Sequence, residues 1–383
     1  MIENFLALYL VPVIWVILGS YALFTLLLNF YWDKLRVTYP SATLSQMQIS
    51  VIIPVRNEAG NIALLLNDIE NQTLSKEQFE ILIVDDSSTD GTAEVIQQLC
   101  TQLHARIKLI RLEDVPNASP KKRAIEKALS VASGELIITT DGDCRVGPNW
   151  LQSFKDCYMA TGAKLISGPV TFTPENTLTD HLQTVEFASL IGSGGSAISA
   201  GYPSLCNGAN LAYEKKVFTE VGGYDGVRHI ASGDDEFLMH KIADSYPEGV
   251  QFLKDPRAVV YTNPHQKWSM FFRQRKRWAS KWKHYQSTTP LVLALYVFAC
   301  NFVLLASLAL YAFDIISITE LGAFWVVKCV PEWIFLGSIL SFLGKKRSIL
   351  YIPITQVVYP LYVCLFGIAV QKPTYEWKGR KLV

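Results

Sequence analysis

Between Phe5 and Trp32 the chain has no charged residue. A helix of that length, rising about 1.5 Å per residue, crosses a hydrocarbon layer of roughly 30 Å. Three more apolar stretches, Pro290 to Phe313, Leu321 to Leu343 and Ile349 to Val370, crowd the other end. Half of all residues are apolar, and their segregation assigns much of that half to membrane segments flanking a water-facing core. The first run reads as a retained membrane helix rather than a cleaved leader. The chain starts Met1-Ile2-Glu3, and the cations Lys34 and Arg36 follow the run instead of preceding it.

Those cations put the core on the cytoplasmic side. Asp314 and Glu320 lie between the second and third stretches and Lys345-Lys346-Arg347 between the third and fourth, which agrees with that orientation. A last stretch that crossed fully would leave the basic tail from Glu376 to Lys381 outside. Pro353 and Pro360 therefore suggest a broken or re-entrant stretch that returns the tail. Lys328 and Glu332, four apart, either pair on one helical face or mark a short extracellular surface helix. The expected organisation is a transmembrane helix over 1–32, a cytoplasmic core over 33–285 with an interfacial helix near 267–285, and a membrane region with a basic tail over 286–383. The expected setting is a multi-pass protein of a bacterial inner membrane.

Inside the core the pattern alternates. Ile49 to Val55 and Phe79 to Val84 read as buried strands, each followed by an amphipathic helix, Gly60 to Asn71 and Thr92 to Leu103. A strand from Ile107 to Leu112, a helix from Lys121 to Ala132 and a strand from Glu135 to Thr140 follow. This predicts an α/β core built on a doubly wound, mostly parallel sheet. No Gly-x-Gly-x-x-Gly follows the first strand and no Gly-Lys-Ser/Thr loop is present, so dinucleotide and P-loop chemistry fall away. Seven cysteines without Cys-x-x-Cys spacing read as reduced and mostly buried, and His240 as a helix-face residue. The net charge is +1, and no nucleic-acid partner is expected.

Chemistry concentrates in three clusters: Thr140-Asp141-Gly142-Asp143 at a strand end, Gly233-Asp234-Asp235, and Gln274-Arg275-Lys276-Arg277-Trp278. Mg2+ or Mn2+ binds carboxylate oxygens and keeps positions for substrate phosphates, so a strand-end Asp pair suffices without a full cage. An Asp-x-Asp is also an ordinary turn, but ligands of open α/β sheets gather at the carboxyl ends of strands, which favours the metal. The second acidic cluster is then available as a base. Arg277 and Trp278 suit a departing diphosphate and a ring-shaped acceptor. Phe271 to Tyr285 reads as a membrane-surface helix, with Arg277 and Trp278 toward the site and Arg273, Lys281, Trp282 and Lys283 toward lipid. Gly192-Ser193-Gly194-Gly195-Ser196 reads as a mobile loop. Asn207-Gly208-Ala209-Asn210 is a small-residue turn that either admits an acceptor or simply opens a strand.

Together with Pro54-Val55-Arg56-Asn57-Glu58 and the run from Val84 to Asp90, these clusters in this order resemble the family 2 glycosyltransferases of GT-A fold, over roughly the whole core. The resemblance implies that Pro54, Glu58, Val84 and Asp86 line a nucleoside pocket, with UDP the first expectation. It implies that Lys121 approaches the donor, unless it is a plain solvated lysine beside Lys122 and Arg123. Asp141 would help hold the nucleotide, Asp143 the metal, and Gln274 and Arg277 the leaving diphosphate. Gly208 and Trp278 would contact the acceptor. Asp235 would be the base, tuned by Asp234 and Glu236, whose like charges raise its proton affinity. The implied reaction is a direct inverting displacement.

Gln-x-x-Arg-Trp occurs in processive polysaccharide synthases and in single-addition lipid glycosylators similar to ceramide glucosyltransferase, and the tail Trp377-Lys378-Gly379-Arg380 resembles lipid and carotenoid glycosylators of this family. One leading and at most three trailing spans are few for a polymer channel, so addition of one sugar to a lipid or lipid-linked acceptor is the first expectation. A processive synthase, whose channel an oligomer could complete, is the second. A catalytically silent nucleotide-sugar-binding module is the third.

Overall fold

The computed structural model describes residues 2–37, 39, 46–113, 119–281, 289–369, 375–377 and 380–382. Helix α1 (Ile2–Lys34) leads into the core elements β1 (Ile49–Val55), α2 (Ile62–Glu70), β2 (Phe79–Asp86), α3 (Thr92–Cys100), β3 (Arg106–Leu112), α4 (Pro120–Leu129) and β4 (Leu136–Thr139). These match the alternation read from sequence to within a few residues. In α2 the buried residues are Ile62, Leu65, Leu66 and Ile69, the spacing that packs one helix face on a sheet. The second half of the core holds α5 (Trp150–Thr161), β5 (Leu165–Ser167), β6 (Val170–Phe172), α6 (Leu178–Ser199), β7 (Leu211–Glu214), α7 (Lys215–Glu220), α8 (Asp234–Ser245), β8 (Val250–Phe252), β9 (Val260–Thr262) and α9 (Trp268–Ser280).

The main sheet runs β3-β2-β1-β4-β7-β5-β8. Its strands are parallel from β3 to β4, β7 is antiparallel to both its neighbours, and β5 and β8 are parallel. Strands β6 and β9 form a small parallel pair of their own. The strands from β1 to β4 point their carboxyl ends the same way, so the loops after β1, β2 and β4 share one edge of the sheet. That edge carries the candidate site.

The stretch Gly192 to Ser196, expected to be a mobile loop, lies inside α6. The helix starts at a capping box in which Thr177 and Asp180 satisfy each other's backbone N–H groups. Its glycines serve close approach rather than flexibility. A Cβ on Gly192 would collide with Ile339, one on Gly194 would meet the Leu205 carbonyl at 2.9 Å, and one on Gly195 would meet Trp32 at 3.0 Å.

Four helices are long and apolar enough to cross a membrane: Leu8–Lys34, Thr289–Ala312, Ile318–Phe342 and Lys346–Gly367. The last three correspond to α10 (Thr289–Ala312), α11 (Ile318–Phe342) and most of α12 (Ile352–Ala369). Lys328 and Glu332 pair at 2.8 Å within α11, and the Tyr21 hydroxyl donates to Glu332 at 2.6 Å, which ties α1 to α11. Helix α12 is continuous rather than broken. Pro353 sits in its first turn, where the missing N–H is harmless, and Pro360 is carried inside. The turn before α12 rests on the core through Lys345 and Glu175, 3.1 Å apart, and His181 stacked on Tyr351. Beyond α12, β10 (Tyr375–Trp377) pairs with β11 (Arg380–Leu382), and β10 lies against α9. Trp282, Lys283 and Tyr285 of the expected interfacial helix, and Lys378 and Gly379 of the tail, lie outside the described residues.

Candidate active site

The loops after β1 and β2 are locked together. Asn57 and Ser87 both take left-handed backbone angles, φ 53° and 57°, conformations that Asn tolerates because its side chain bonds locally. The Asn57 N–H donates to Ser88 Oγ and the Thr89 N–H to Asn57 Oδ1, each at 2.9 Å. Asp86 is buried between two guanidinium groups, Arg123 at 2.7 Å and Arg56 at 3.7 Å. Glu58 is buried and accepts from Asn61 at 2.8 Å. Pro54 pairs in register with Val84. Val84, expected to line a nucleoside pocket, is fully buried in the sheet, with neither its side chain nor its backbone exposed.

At the end of β4, Gly142 is needed for packing, since a Cβ there would meet Val55 Cγ1 at 2.9 Å and Glu58 Cγ at 3.1 Å. Asp141 accepts from Lys121 Nζ at 2.7 Å, and the same ammonium lies 3.4 Å from Asp234 Oδ2. Lys121 is therefore no solvated first-turn lysine; it bridges the two acidic clusters. Burial works against its charge, but the carboxylates of Asp141 and Asp234 outweigh burial and raise it above the ordinary lysine value. Burial likewise keeps the Cys144 thiol well above the usual range.

The second cluster starts α8. Gly233 takes φ 78°, and Asp234, Asp235 and Glu236 fill the first turn, where free N–H groups favour carboxylates. Asp235 accepts from the Glu236 N–H at 2.8 Å and from the Gly208 N–H at 2.9 Å. Gly208 fits because a Cβ there would sit 3.0 Å from Asp234 Oδ2 and 3.2 Å from Lys121 Nζ. Lys281 is buried and pairs with Glu236 at 2.7 Å. These neighbours split the two aspartates. Burial raises the proton affinity of Asp234 despite Lys121, with Asp235 and Asp141 adding to the rise. Burial acts on Asp235 too, but Lys281, Lys121 and the two N–H groups outweigh it and hold Asp235 below the usual carboxylate range. The like-charge effect expected to raise Asp235 thus falls on Asp234 instead.

Two lysines were missed or misplaced from sequence. Lys281, expected at the lipid surface, faces the site because Gln274, Arg277, Trp278 and Lys281 recur at three- and four-residue spacing along one helical face; that spacing was the available signal. Lys122 is buried and donates to the carbonyls of Val227, Ile230 and Ser232 at 2.9, 2.7 and 3.1 Å, clamping the loop that enters Gly233. Burial pushes it down to about 8, against the pull of Asp234 and Asp235.

A cavity of about 230 Å3 collects Lys121, Asp141, Asp143, Gly208, Asp234, Asp235, Gln274, Arg277, Trp278 and Lys281. Pro54, Glu58, Val84 and Asp86 stand outside it, next to Gly142 through Glu58. Arg275 turns the other way, donating to both Glu186 oxygens from Nε and Nη2 and stacking on Trp278 and Phe271 at 4.3 and 4.6 Å. Among the described residues no group of three or more His, Cys, Asp and Glu side chains forms a metal cage. With Asp141 engaged by Lys121, the donor set fits a hard cation held by Asp143 and completed by phosphate oxygens.

Residues 50–222 match the family described as Glycosyl transferase family 2, so the part from β1 to the end of α7 is a domain of that family. The match ends before α8 and α9. Glycosyltransferase AglE of Haloferax volcanii is 31% identical over 197 residues, 51% of this chain and 62% of its own. A poly-beta-1,6-N-acetyl-D-glucosamine synthase of Staphylococcus aureus is 24% identical over 291 residues, 72% of this chain and 64% of its own. The chain thus spans less than two-thirds of the length of these curated relatives. Among solved structures, the mannosyltransferase PcManGT from Pyrobaculum calidifontis, in complex with GDP-Man and Mn2+, is similar at a TM-score of 0.59 and 16% identity, covering 93% of this chain and 99% of that one. The fold is GT-A-like, and coverage that broad takes in apolar helices as well as the sheet.

Proposed function

We propose that this chain is an inverting, metal-dependent glycosyltransferase that moves a sugar from a nucleoside-diphosphate sugar, UDP-linked by first expectation, to a lipid or lipid-linked acceptor at the cytoplasmic face of a membrane. One observation carries the reading: Lys121 joins the strand-end and helix-start acids around a single cavity that Gln274, Arg277 and Trp278 help to line. The nucleoside lies over the ends of β1 and β2, with Glu58 and Asp86 beneath it, and its diphosphate reaches past Asp141 to Asp143. A divalent cation bound at Asp143 would neutralise charge on the leaving diphosphate. Arg277 and Gln274 share that task from α9.

The acceptor oxygen attacks the anomeric carbon as the bond from that carbon to the diphosphate oxygen breaks. The leaving nucleoside diphosphate keeps the electron pair. Asp235 takes the hydroxyl proton, and its two N–H contacts fix its carboxylate in place. An ionised Asp235 is ready as a base at neutral pH; its low proton affinity makes it a weak one, so the proton moves late, as the sugar bond forms.

The cytoplasmic assignment is supported by the charge pattern of the loops and by contact of both the Lys345 turn and β10 with the core. The similarity to a polysaccharide synthase favours one second reading, chain extension. Full-length protein in nanodiscs, given UDP- and GDP-sugars with Mg2+ or Mn2+, tests both. Nucleotide release that depends on added lipid extract, with a single-hexose mass increment on a lipid, is the expected result. A ladder of increments selects the synthase, and donor binding without release refutes an active enzyme.

A further inference from the structure

Gln274 lines the active-site cavity and its neighbour Arg275 does not. Arg275 is buried against α6, where its Nε donates to Glu186 Oε1 at 2.8 Å and its Nη2 to Glu186 Oε2. The guanidinium has one nitrogen left, Nη1, and this donates to Gln274 Oε1 at 2.6 Å. Three residues before Glu186, Gln183 grips the approach to α9: its Nε2 donates to the His265 carbonyl at 3.0 Å, and its Oε1 accepts from the His265 N–H at 2.9 Å. One face of α6 thus braces both His265 and Arg275. The same helix walls the active-site cavity through Phe187, Leu190 and Ile191, so the brace and the cavity share one rigid element.

A glutamine amide held by nothing exchanges its oxygen and nitrogen by a half-turn at little cost. Here a half-turn would set the amide N–H groups against Arg275 Nη1, donor against donor, and leave a buried guanidinium N–H unpaired. The oxygen of Gln274 is therefore committed to Arg275. The His265 imidazole lies beside Gln274, and its Nε2 is buried without a partner. The amide nitrogen, with two hydrogens, is what remains for His265 and for the cavity that Gln274 lines.

We infer that Arg275 is a positioning residue for sugar transfer: braced by Glu186, it sets the Gln274 amide with its nitrogen toward the substrate, and the substrate atom met there is an acceptor oxygen, as on the leaving diphosphate. The inference rests on the leaving-group role given to Gln274 above, and adds to it the direction of the hydrogen bond and the ion pair that enforces it. Arg275 acts through geometry rather than charge, since Glu186 already balances its guanidinium.

The test uses full-length protein in nanodiscs with the sugar donor and lipid extract that support transfer, and reads kcat/KM from nucleotide release. Removing Arg275 alone would strand the Glu186 carboxylate, so Glu186→Gln and Arg275→Met are made together. This pair should lower kcat/KM by about tenfold in the parent and by about twofold or less in a Gln274→Ala background, where the residue it acts through is gone. A loss of structure alone would cost the same in both backgrounds. Arg275→Lys keeps the ion pair without the fork that spans Glu186 and Gln274, and should lower kcat/KM by about threefold or more, again only while Gln274 is present. Gln274→Glu turns acceptors alone toward the substrate and should transfer more slowly than Gln274→Ala. Binding of a fluorescent nucleotide certifies each fold; a pair variant that fails it leaves the cycle to Arg275→Lys. Equal losses in both backgrounds, parental transfer by the Arg275 variants, or parental transfer by Gln274→Glu overturns the inference and leaves the leaving-group reading standing. Parental transfer by Gln274→Ala, or transfer by none of the proteins, refutes that reading and the inference with it.

Discussion

The two acidic clusters share one lysine and are otherwise held in opposite ways. At the end of β4, the Asp141 side chain is 40% exposed and rests on the Lys121 ammonium. At the start of α8, Asp235 is fixed by two backbone N–H groups, Glu236 is buried on Lys281, and Lys122 clamps the approaching loop through three carbonyls. An open carboxylate suits a metal and diphosphate that come and go with each turnover. A fixed one suits a base, whose use depends on where its oxygen sits to a fraction of an ångström. The proposed function gives donor chemistry to the strand end and acceptor chemistry to the helix start, a division that this contrast suits.

Chelation of divalent metal strikes only the strand end on this account. It should lower donor affinity and transfer by about a hundredfold or more, since a metal contributes several kcal/mol of charge stabilisation. Isothermal titration with donor, repeated after adding back Mn2+, checks it; unchanged affinity in chelator would break the comparison. At the helix start, Lys122→Met leaves three inward carbonyls without their donor, at about 1–3 kcal/mol for each that stays unpaired. A fall of several degrees in melting temperature, with kcat hit harder than KM, is expected. Gly208→Ala forces a methyl group against Asp234 and Lys121, and transfer should drop by about tenfold with donor affinity preserved.

The smallest effect concerns pH. Lys281 helps hold Asp235 below the ordinary carboxylate range, and Asp235 must be ionised to accept a proton. Activity from this group is therefore present above its low value and lost as pH falls through it. Replacing Lys281 by Gln, with Glu236→Gln so that no buried charge is left unpaired, should move the acid limb of the pH–rate profile upward. An unmoved limb would detach Lys281 from Asp235.

Much of the first half of the core was legible because its signals are local. Runs such as Ile49 to Val55 and the apolar face of α2 declare strand and helix without reference to the rest of the chain. Helix α6 was not legible for the converse reason: Gly192, Gly194 and Gly195 look flexible by composition, and the Ile339, Leu205 and Trp32 neighbours that demand them are distant in sequence or visible only in three dimensions. The same holds for charge. That Asp234 lies high follows from its burial and that Asp235 lies low from Lys281 and Lys121, which arrive from other helices, and no rule about adjacent like charges foresees the split. Lys122 looked like one cation in a solvated run, because carbonyl partners leave no mark in a sequence. The prolines of α12 misled in the other direction, since first-turn proline and a carried internal proline resemble a break.

The division of labour between the clusters is tested most directly by measuring donor affinity and sugar transfer side by side in Asp143→Asn and Asp235→Asn. The account predicts that Asp143→Asn loses the metal-dependent part of donor binding, and transfer with it. Asp235→Asn should bind donor and metal like the parent and lose transfer by roughly 10²–10⁴-fold. Parental transfer by Asp235→Asn, or loss of donor binding in both variants alike, would contradict it.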